Sequence, residues 1–364
     1  MSPAYLDHDD PFSPRRRSTY PLYNTTTRKP RRWPLVLRIT KGSVHALILP
    51  AVTFHALFTA LIVYLDLYVQ PLGLPGTIVP SISIVVGLML VFRNGTSYDR
   101  FWSGRNHLTA ITGSVRHLVR YILTYSRDLK TDEATPAERA DTEAAVRLLI
   151  ALPFAVKHSL RSEFGGACPP LPARSGMHTP TAAPAHTEAG LMAESLGTLR
   201  PEYSGLLPAT LLSLEDRGVP LPVQLAAKIE AYVRRGWARG WWQAPQAGGL
   251  SGEVGAIVRA YGAMETIRTT PIPVAHLIHA KQVLALYLMV LPFAMVDEMA
   301  WWSVLVIVLI AFTLYGIEAI GSELEEPFGY DKNDIKMDAI VEDLKVECQV
   351  LLEEWSRGNG DYFD

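Results

Sequence analysis

Four long apolar segments, three of them without a single Asp, Glu, Lys or Arg, constrain this chain more than any other feature. Val44 to Leu65 is 22 residues without Asp, Glu, Lys or Arg, interrupted only by His45 and His55. At roughly 1.5 Å per residue a helix of that length crosses a hydrocarbon layer about 30 Å thick. Gln70 to Phe92 is a second such run, separated from the first by a short turn with Pro71, Gly73, Pro75 and Gly76, so the pair reads as a transmembrane hairpin. Trp301 to Ile317 is a third, ending just before Glu318. Its partner joins Pro271–Ala280 to the 15 apolar residues Gln282–Val296 and tolerates Lys281 near a polar cavity or interface. The expectation is an all-α, four-span membrane protein, with hairpins at 44–92 and 271–320.

Loop charges predict how the hairpins are threaded. The segment up to residue 43 is basic, with Arg15–Arg17, Arg28, Lys29, Arg31 and Arg32, and the stretch after Phe92 carries Arg93, Arg100, Arg105, Arg116 and Arg120. The turn at 70–76 has no positive charge, and the turn between the last two spans offers only Asp297 and Glu298. Both termini and the long middle region are therefore expected in the cytoplasm, with Trp301 and Trp302 in an outer aromatic belt, and the plasma membrane is favoured over an organelle membrane. No cleavable signal peptide is expected.

Between the hairpins, 93–270 reads as a helical cytosolic region. Helical apolar spacing covers 93–130, 142–161, 221–237 and 251–268, and strand signals are nearly absent. The stretch 165–208, with Pro169, Pro170, Pro172, Pro180 and Pro184 among small residues, reads as a flexible insert with little packing of its own. From 321 onward the chain is an acidic cytosolic segment.

Composition removes several function classes. With 34 Lys+Arg against 36 Asp+Glu and a net charge of −2, the chain lacks the basic excess of a nucleic-acid binder. Cys168 and Cys348 cannot form a disulfide framework or a zinc site. No phosphate loop, dinucleotide fingerprint, His-Glu-x-x-His or nucleophile elbow occurs, so no enzyme is expected and no catalytic residue is assigned. His276 and His279 have a metal-ligand spacing, but with no carboxylate close in sequence they read better as polar-facing histidines at a membrane boundary.

Three features carry more weight. Ile84, Leu88 and Phe92 recur every fourth residue as a bulky apolar stripe beside the small residues Ser83 and Gly87; such a stripe suits lipid-facing packing or, repeated around an axis, a dewetting constriction. Arg93, Asn94, Tyr98, Asp99, Arg100, Trp102 and Arg105 concentrate charge and aromatic surface at the inner end of the first hairpin. The acidic run from Glu318 to Asp334 suits a solvated helix end or an oxygen-rich calcium site.

These motifs make a family visible. Phe92-Arg93-Asn94, Ser97-Tyr98-Asp99-Arg100-Phe101-Trp102 and Gly104-Arg105 come first, followed by Arg268-Thr269-Thr270-Pro271-Ile272-Pro273. Tyr287 with Leu291-Pro292-Phe293, and Glu325-Glu326-Pro327-Phe328-Gly329 with Asn333-Asp334, follow in the same order as in the bestrophin and bestrophin-like membrane channels. From Leu37 to Leu352, apart from the insert, the chain resembles the bacterial, plant and fungal branch of that family. The resemblance implies a homopentamer in the lipid bilayer, with a central pore lined by the second span and a hydrophobic neck at Ile84, Leu88 and Phe92. It implies passive passage of chloride and other small anions, weakly hydrated ions suiting a ring that offers the polarised edges of Phe92. A cation-permeable channel of the same fold and a non-conducting membrane scaffold are the alternatives. Asp331 and Asp334 match two carboxylates of the calcium clasp found in animal relatives, but Tyr330, Lys332 and Asn333 replace acidic positions, so weak calcium binding at most is expected and no other cofactor.

Overall fold

A computed structural model describes residues 44–126, 135–163, 200–207 and 218–357. The basic segment 1–43, Cys168 and the prolines of the expected insert lie outside the described residues. Among the described residues there are eight α-helices and no strand: α1 His45–Tyr68, α2 Val79–Tyr125, α3 Pro136–Leu160, α4 Leu221–Ala238, α5 Ala244–Thr269, α6 Val274–Met299, α7 Trp302–Glu325 and α8 Met337–Ser356.

Two separate cores organise them. Helices α1, α6, α7 and the first part of α2 are long and apolar enough to cross a membrane. Their inward faces meet through Val52, Val86, Leu90, Leu284, Leu288, Leu291, Ile307 and Ala311. Their outward faces leave Leu47, Leu57, Leu286 and Leu309 more than half exposed, as helices solvated by lipid do. The second core lies outside this layer, where the rest of α2 packs with α3, α5 and α8, and α4 packs on α3 and α5.

One helix belongs to both cores. The sequence reading placed a domain boundary at Phe92, but α2 continues without interruption for 47 residues, about 70 Å at 1.5 Å per residue. It also begins later than the uncharged run: residues 70–75 form an open connection and Gly76–Ile78 a 3₁₀ turn, because Pro71 and Pro75 deny the helix backbone donors there. Leu74 instead donates its N–H to the Phe293 carbonyl, tying the turn to α6.

Helix α3 opens on a reciprocal cap between Thr135 and Glu138, with Pro136 in the first turn. Its last three turns are buried on nearly every side, from Leu149 to His158, which makes it the central helix of the body. Buried Lys157 pairs with Glu202 at 2.8 Å and Asp338 at 3.1 Å. His158 bonds Glu163 at 2.5 Å through Nδ1 and Glu202 through Nε2. Opposite charge and hydrogen bonds make this burial tolerable.

This cluster corrects the sequence reading at the end of the expected insert. Residues 200–207 are not loosely packed: Tyr203, Leu206 and Leu207 are buried in the body core, and Glu202 serves both Lys157 and His158. The acidic C-terminal segment contains the amphipathic α8, with Val341, Leu344 and Cys348 in the same core. At the far end of the body Gly236 permits a close approach, since a Cβ there would stand 2.1 Å from the Trp242 ring, whose indole N–H donates to the Val233 carbonyl.

Asp338 gives the body a defined acid response. Hydrogen bonds from Arg161, and secondarily from Lys157, hold its carboxyl at about 2, against the opposing effect of burial. A folded value below the ordinary 3.8 means that the contribution is complete above about pH 4 and is lost as pH falls toward 2. Because the side chain is 58% exposed, solvent screening limits it to about 1 kcal/mol or less. Asp338→Asn is expected to lower the melting temperature slightly at pH 7 and to flatten its decline below pH 4, read by tryptophan fluorescence in detergent; an acid limb identical to that of the unsubstituted protein would remove Asp338 from this role.

Candidate functional site

The site is built on α2, and its two faces have different tasks. Val86, Leu90, Arg93, Ser97 and Gly104 turn toward the rest of the protomer and are buried. Ser83, on the same side, donates to the Val79 carbonyl at 2.7 Å and accepts from the Tyr287 hydroxyl of α6 at 2.8 Å. The small-residue stripe noted in the sequence is therefore a packing face in part. Ile84, Leu88 and Phe92 lie on the opposite side and are 71%, 55% and 62% exposed. Val85 and Val91 flank them and are equally uncovered.

Where the apolar part of α2 ends, the charges of the sequence motif separate by direction. Arg93 is 2% exposed and donates to Ser97 at 2.6 Å and to Glu325 at 2.8 Å. Asn94 donates to the Leu90 carbonyl and, across the gap to α7, to the Ile317 carbonyl at 3.0 Å. Arg100 donates to the carbonyls of Ile267 and Thr270 at the end of α5 and of Glu325 at the end of α7. Those carbonyls lack intrahelical partners and sit at the negative ends of two helix dipoles, the place where a guanidinium is most favourable. Arg105 reaches Thr109 one turn along its own helix at 2.8 Å. Gly104 lets the Pro327-Phe328-Gly329 loop approach, because a Cβ would stand 2.8 Å from the Phe328 ring.

The remaining members of the motif face outward. Tyr98 and Trp102 stack one turn apart with centroids 6.5 Å apart and planes 4° from parallel, both more than half exposed. Asp99 is exposed, and no ion pair to it exists among the described residues. The site thus divides into residues that hold α2 and residues that α2 presents.

The acidic run of the sequence does not converge. Glu318 lies 3.5 Å from Lys281, which explains how α6 carries a lysine within a span; Glu323 accepts from Asn333 at 2.9 Å, and Glu325 is held by Arg93. Asp334 is buried and accepts the Asp331 N–H at 2.8 Å. Burial pushes its carboxyl above the ordinary value, and the charges of Asp331 and Glu323 act in the same direction. The nearby carbonyls of Phe328 and Gly329 accept hydrogen bonds from Arg161, whose guanidinium stacks 3.9 Å from the Tyr330 ring. Among the described residues no three His, Cys, Asp or Glu side chains group as metal ligands; His276 and His279 are exposed on α6.

What sequence reasoning missed is the Lys157–His158–Glu202 cluster and the Arg161 contacts. The available signal was a lysine and a histidine side by side inside the otherwise apolar run that ends α3. The Arg93–Glu325 pair predicts a large asymmetry between single and double substitutions. Arg93→Met or Glu325→Leu alone leaves a charge without its partner in a nearly dry site and is expected to cost about 3 kcal/mol, whereas the two together cost less than either. Thermal stability of the four proteins in detergent tests this, and additive losses would refute the coupling.

The model of the bacterial/fungal bestrophin proteins matches residues 24–350. The voltage-dependent anion channel-forming protein alr2987 of Nostoc sp. is 33% identical over 86% of this chain and 90% of its own length. Its counterpart sll1024 of Synechocystis sp. is 32% identical over 90% of this chain and 94% of its own. A crystal structure of a bacterial bestrophin homologue from Klebsiella pneumoniae superposes with a TM-score of 0.65 at 20% identity, covering 84% of this chain and 98% of that one. With four apolar spans, a shared fold and a family model running through both cores, this integral membrane chain belongs to the bacterial/fungal bestrophin family.

Proposed function

We propose that the protein is a homopentameric channel that passes chloride and other small anions down their electrochemical gradient, with α2 of each protomer lining the central pore. The observation that carries this reading is the stripe Ile84, Leu88 and Phe92. It faces away from every contact α2 makes within its own protomer, and it stays uncovered in a helix otherwise anchored by Ser83, Arg93, Asn94 and Arg100. Repeated around an axis, it forms a narrow apolar ring that an ion passes only by giving up part of its water, a cost lower for weakly hydrated anions than for small cations. The names of the Nostoc and Synechocystis relatives, both anion channel-forming proteins, support the same reading.

The charge asymmetry of the loops supports a topology with the helical body and both termini in the cytoplasm, and the plasma membrane as the site of action. In that arrangement Trp301 and Trp302, both exposed, stand at the outer interface. The test of the pore is direct: purified protein in planar bilayers under a chloride gradient, with Ile84, Leu88 and Phe92 changed together to Ala. Conductance is expected to rise several-fold or gating to be lost, because the desolvation barrier depends on those side chains. Unchanged currents would sink the neck assignment, and no currents from either protein would favour a scaffold.

Calcium has a smaller place in this proposal. A calcium ion needs six to eight oxygen ligands. Here the Phe328 and Gly329 carbonyls already serve Arg161, Asp334 already serves Asp331, and Lys332 adds a positive charge to the loop. Those residues do not fit a tight clasp. Calorimetry on the purified protein is expected to detect no binding at micromolar calcium, and a micromolar affinity would overturn this part of the reading.

A further inference from the structure

The outward face of α2 does not end at the neck. Taking about 100° per residue along a helix, Gly95, Asp99, Asn106, Ala110 and Gly113 fall within about 40° of the line through Ile84, Leu88 and Phe92. Asp99 is the only charged residue on that line between Ile84 and Gly113. It is exposed, and its carboxylate has no ion-pair partner among the described residues. The cations nearest in sequence are committed elsewhere: Arg93 to Glu325 and Ser97, Arg100 to three backbone carbonyls, and Arg105 to Thr109. The protomer therefore engages its other motif charges in contacts of its own and presents this one.

We propose that Asp99 is a selectivity-determining residue of the pore: five copies form a negative ring on the body side of the neck that lowers the anion-to-cation permeability ratio. This inference rests on the pore reading above. Seven residues separate Asp99 from Phe92, about 10 Å along the helix axis. That distance equals the Debye length at about 0.1 M salt, so the ring's field reaches the neck at low ionic strength and is screened at about 1 M, where the length falls to about 3 Å. A ring of one sign within low-dielectric walls concentrates counter-ions. The apolar neck and the acidic ring thus act in opposite directions on chloride.

The experiment uses the full chain in planar bilayers under a potassium chloride gradient, at about 0.1 M and about 1 M mean salt. The unsubstituted protein, Asp99→Asn, Asp99→Glu and the triple neck variant are compared. Asp99→Asn is expected to move the reversal potential toward that of chloride at low salt, raising the chloride-to-potassium permeability ratio about three-fold, and to have little effect at high salt. Asp99→Glu should behave as the unsubstituted protein. The unsubstituted ratio should itself rise with ionic strength, which tests the idea even if a variant fails to assemble. A ratio independent of salt, or an Asp99→Asn shift that persists undiminished at high salt, would overturn the proposal. If the neck variant alters conductance while Asp99→Asn leaves reversal unmoved, this inference fails and the pore reading stands. If the neck variant changes nothing, both fall together.

Discussion

Arg93 sits where one helix passes from an apolar layer to a polar body, and the placement of its guanidinium organises what surrounds it. A charge nearly excluded from water is costly unless it is paired and hydrogen-bonded, and Glu325 with Ser97 meets both needs. Because Glu325 is the last residue of α7, this one pair fixes the end of the fourth span to the middle of α2. Arg100 and Asn94 add bonds to backbone carbonyls of α5 and α7 within two turns. The rotation of α2 about its own axis is then set, and with it the direction in which Ile84, Leu88, Phe92 and Asp99 point.

The continuous α2 gives this arrangement its reach. A rod of about 70 Å takes part in both cores, with no break in the helix between them. Gly104 and the Phe328 ring place the loop after α7 directly against that rod. Arg161 links the same loop, through the Phe328 and Gly329 carbonyls and Asp338, to the end of α3 and the start of α8. The segment following the last span is thereby connected through side-chain contacts to α2.

Several features were legible along the chain because they depend on local composition. The four spans follow from absence of charge over a length that hydrocarbon thickness dictates, and the helices of the body follow from apolar spacing. The ends were less legible: a run without charge from Gln70 says nothing about Pro71 and Pro75 delaying the helix to Val79. Residues 200–207 read as part of a loose insert because the contacts that hold Tyr203 and Glu202 come from α3, more than forty positions earlier. In the same way α8 was hidden by its acidic composition, although its apolar positions keep helical spacing.

By itself the sequence determined that the protein is helical, membrane-spanning and of bestrophin type, since desolvation of a backbone in lipid admits few structures for such runs and the motifs are specific. It also located the residues of interest. Only the tertiary structure decided their division of labour. Arg93 and Arg100 turn inward to satisfy a carboxylate and the free carbonyls of two helix ends, and Asn94 reaches the Ile317 carbonyl within α7, while Asp99, one residue from Arg100, is left outward with no ion-pair partner among the described residues. Adjacent residues on a helix differ by about 100° in direction, so a charge pattern that averages to neutrality along the chain resolves, once the helix is fixed in rotation, into a cationic anchoring face and an anionic presented one.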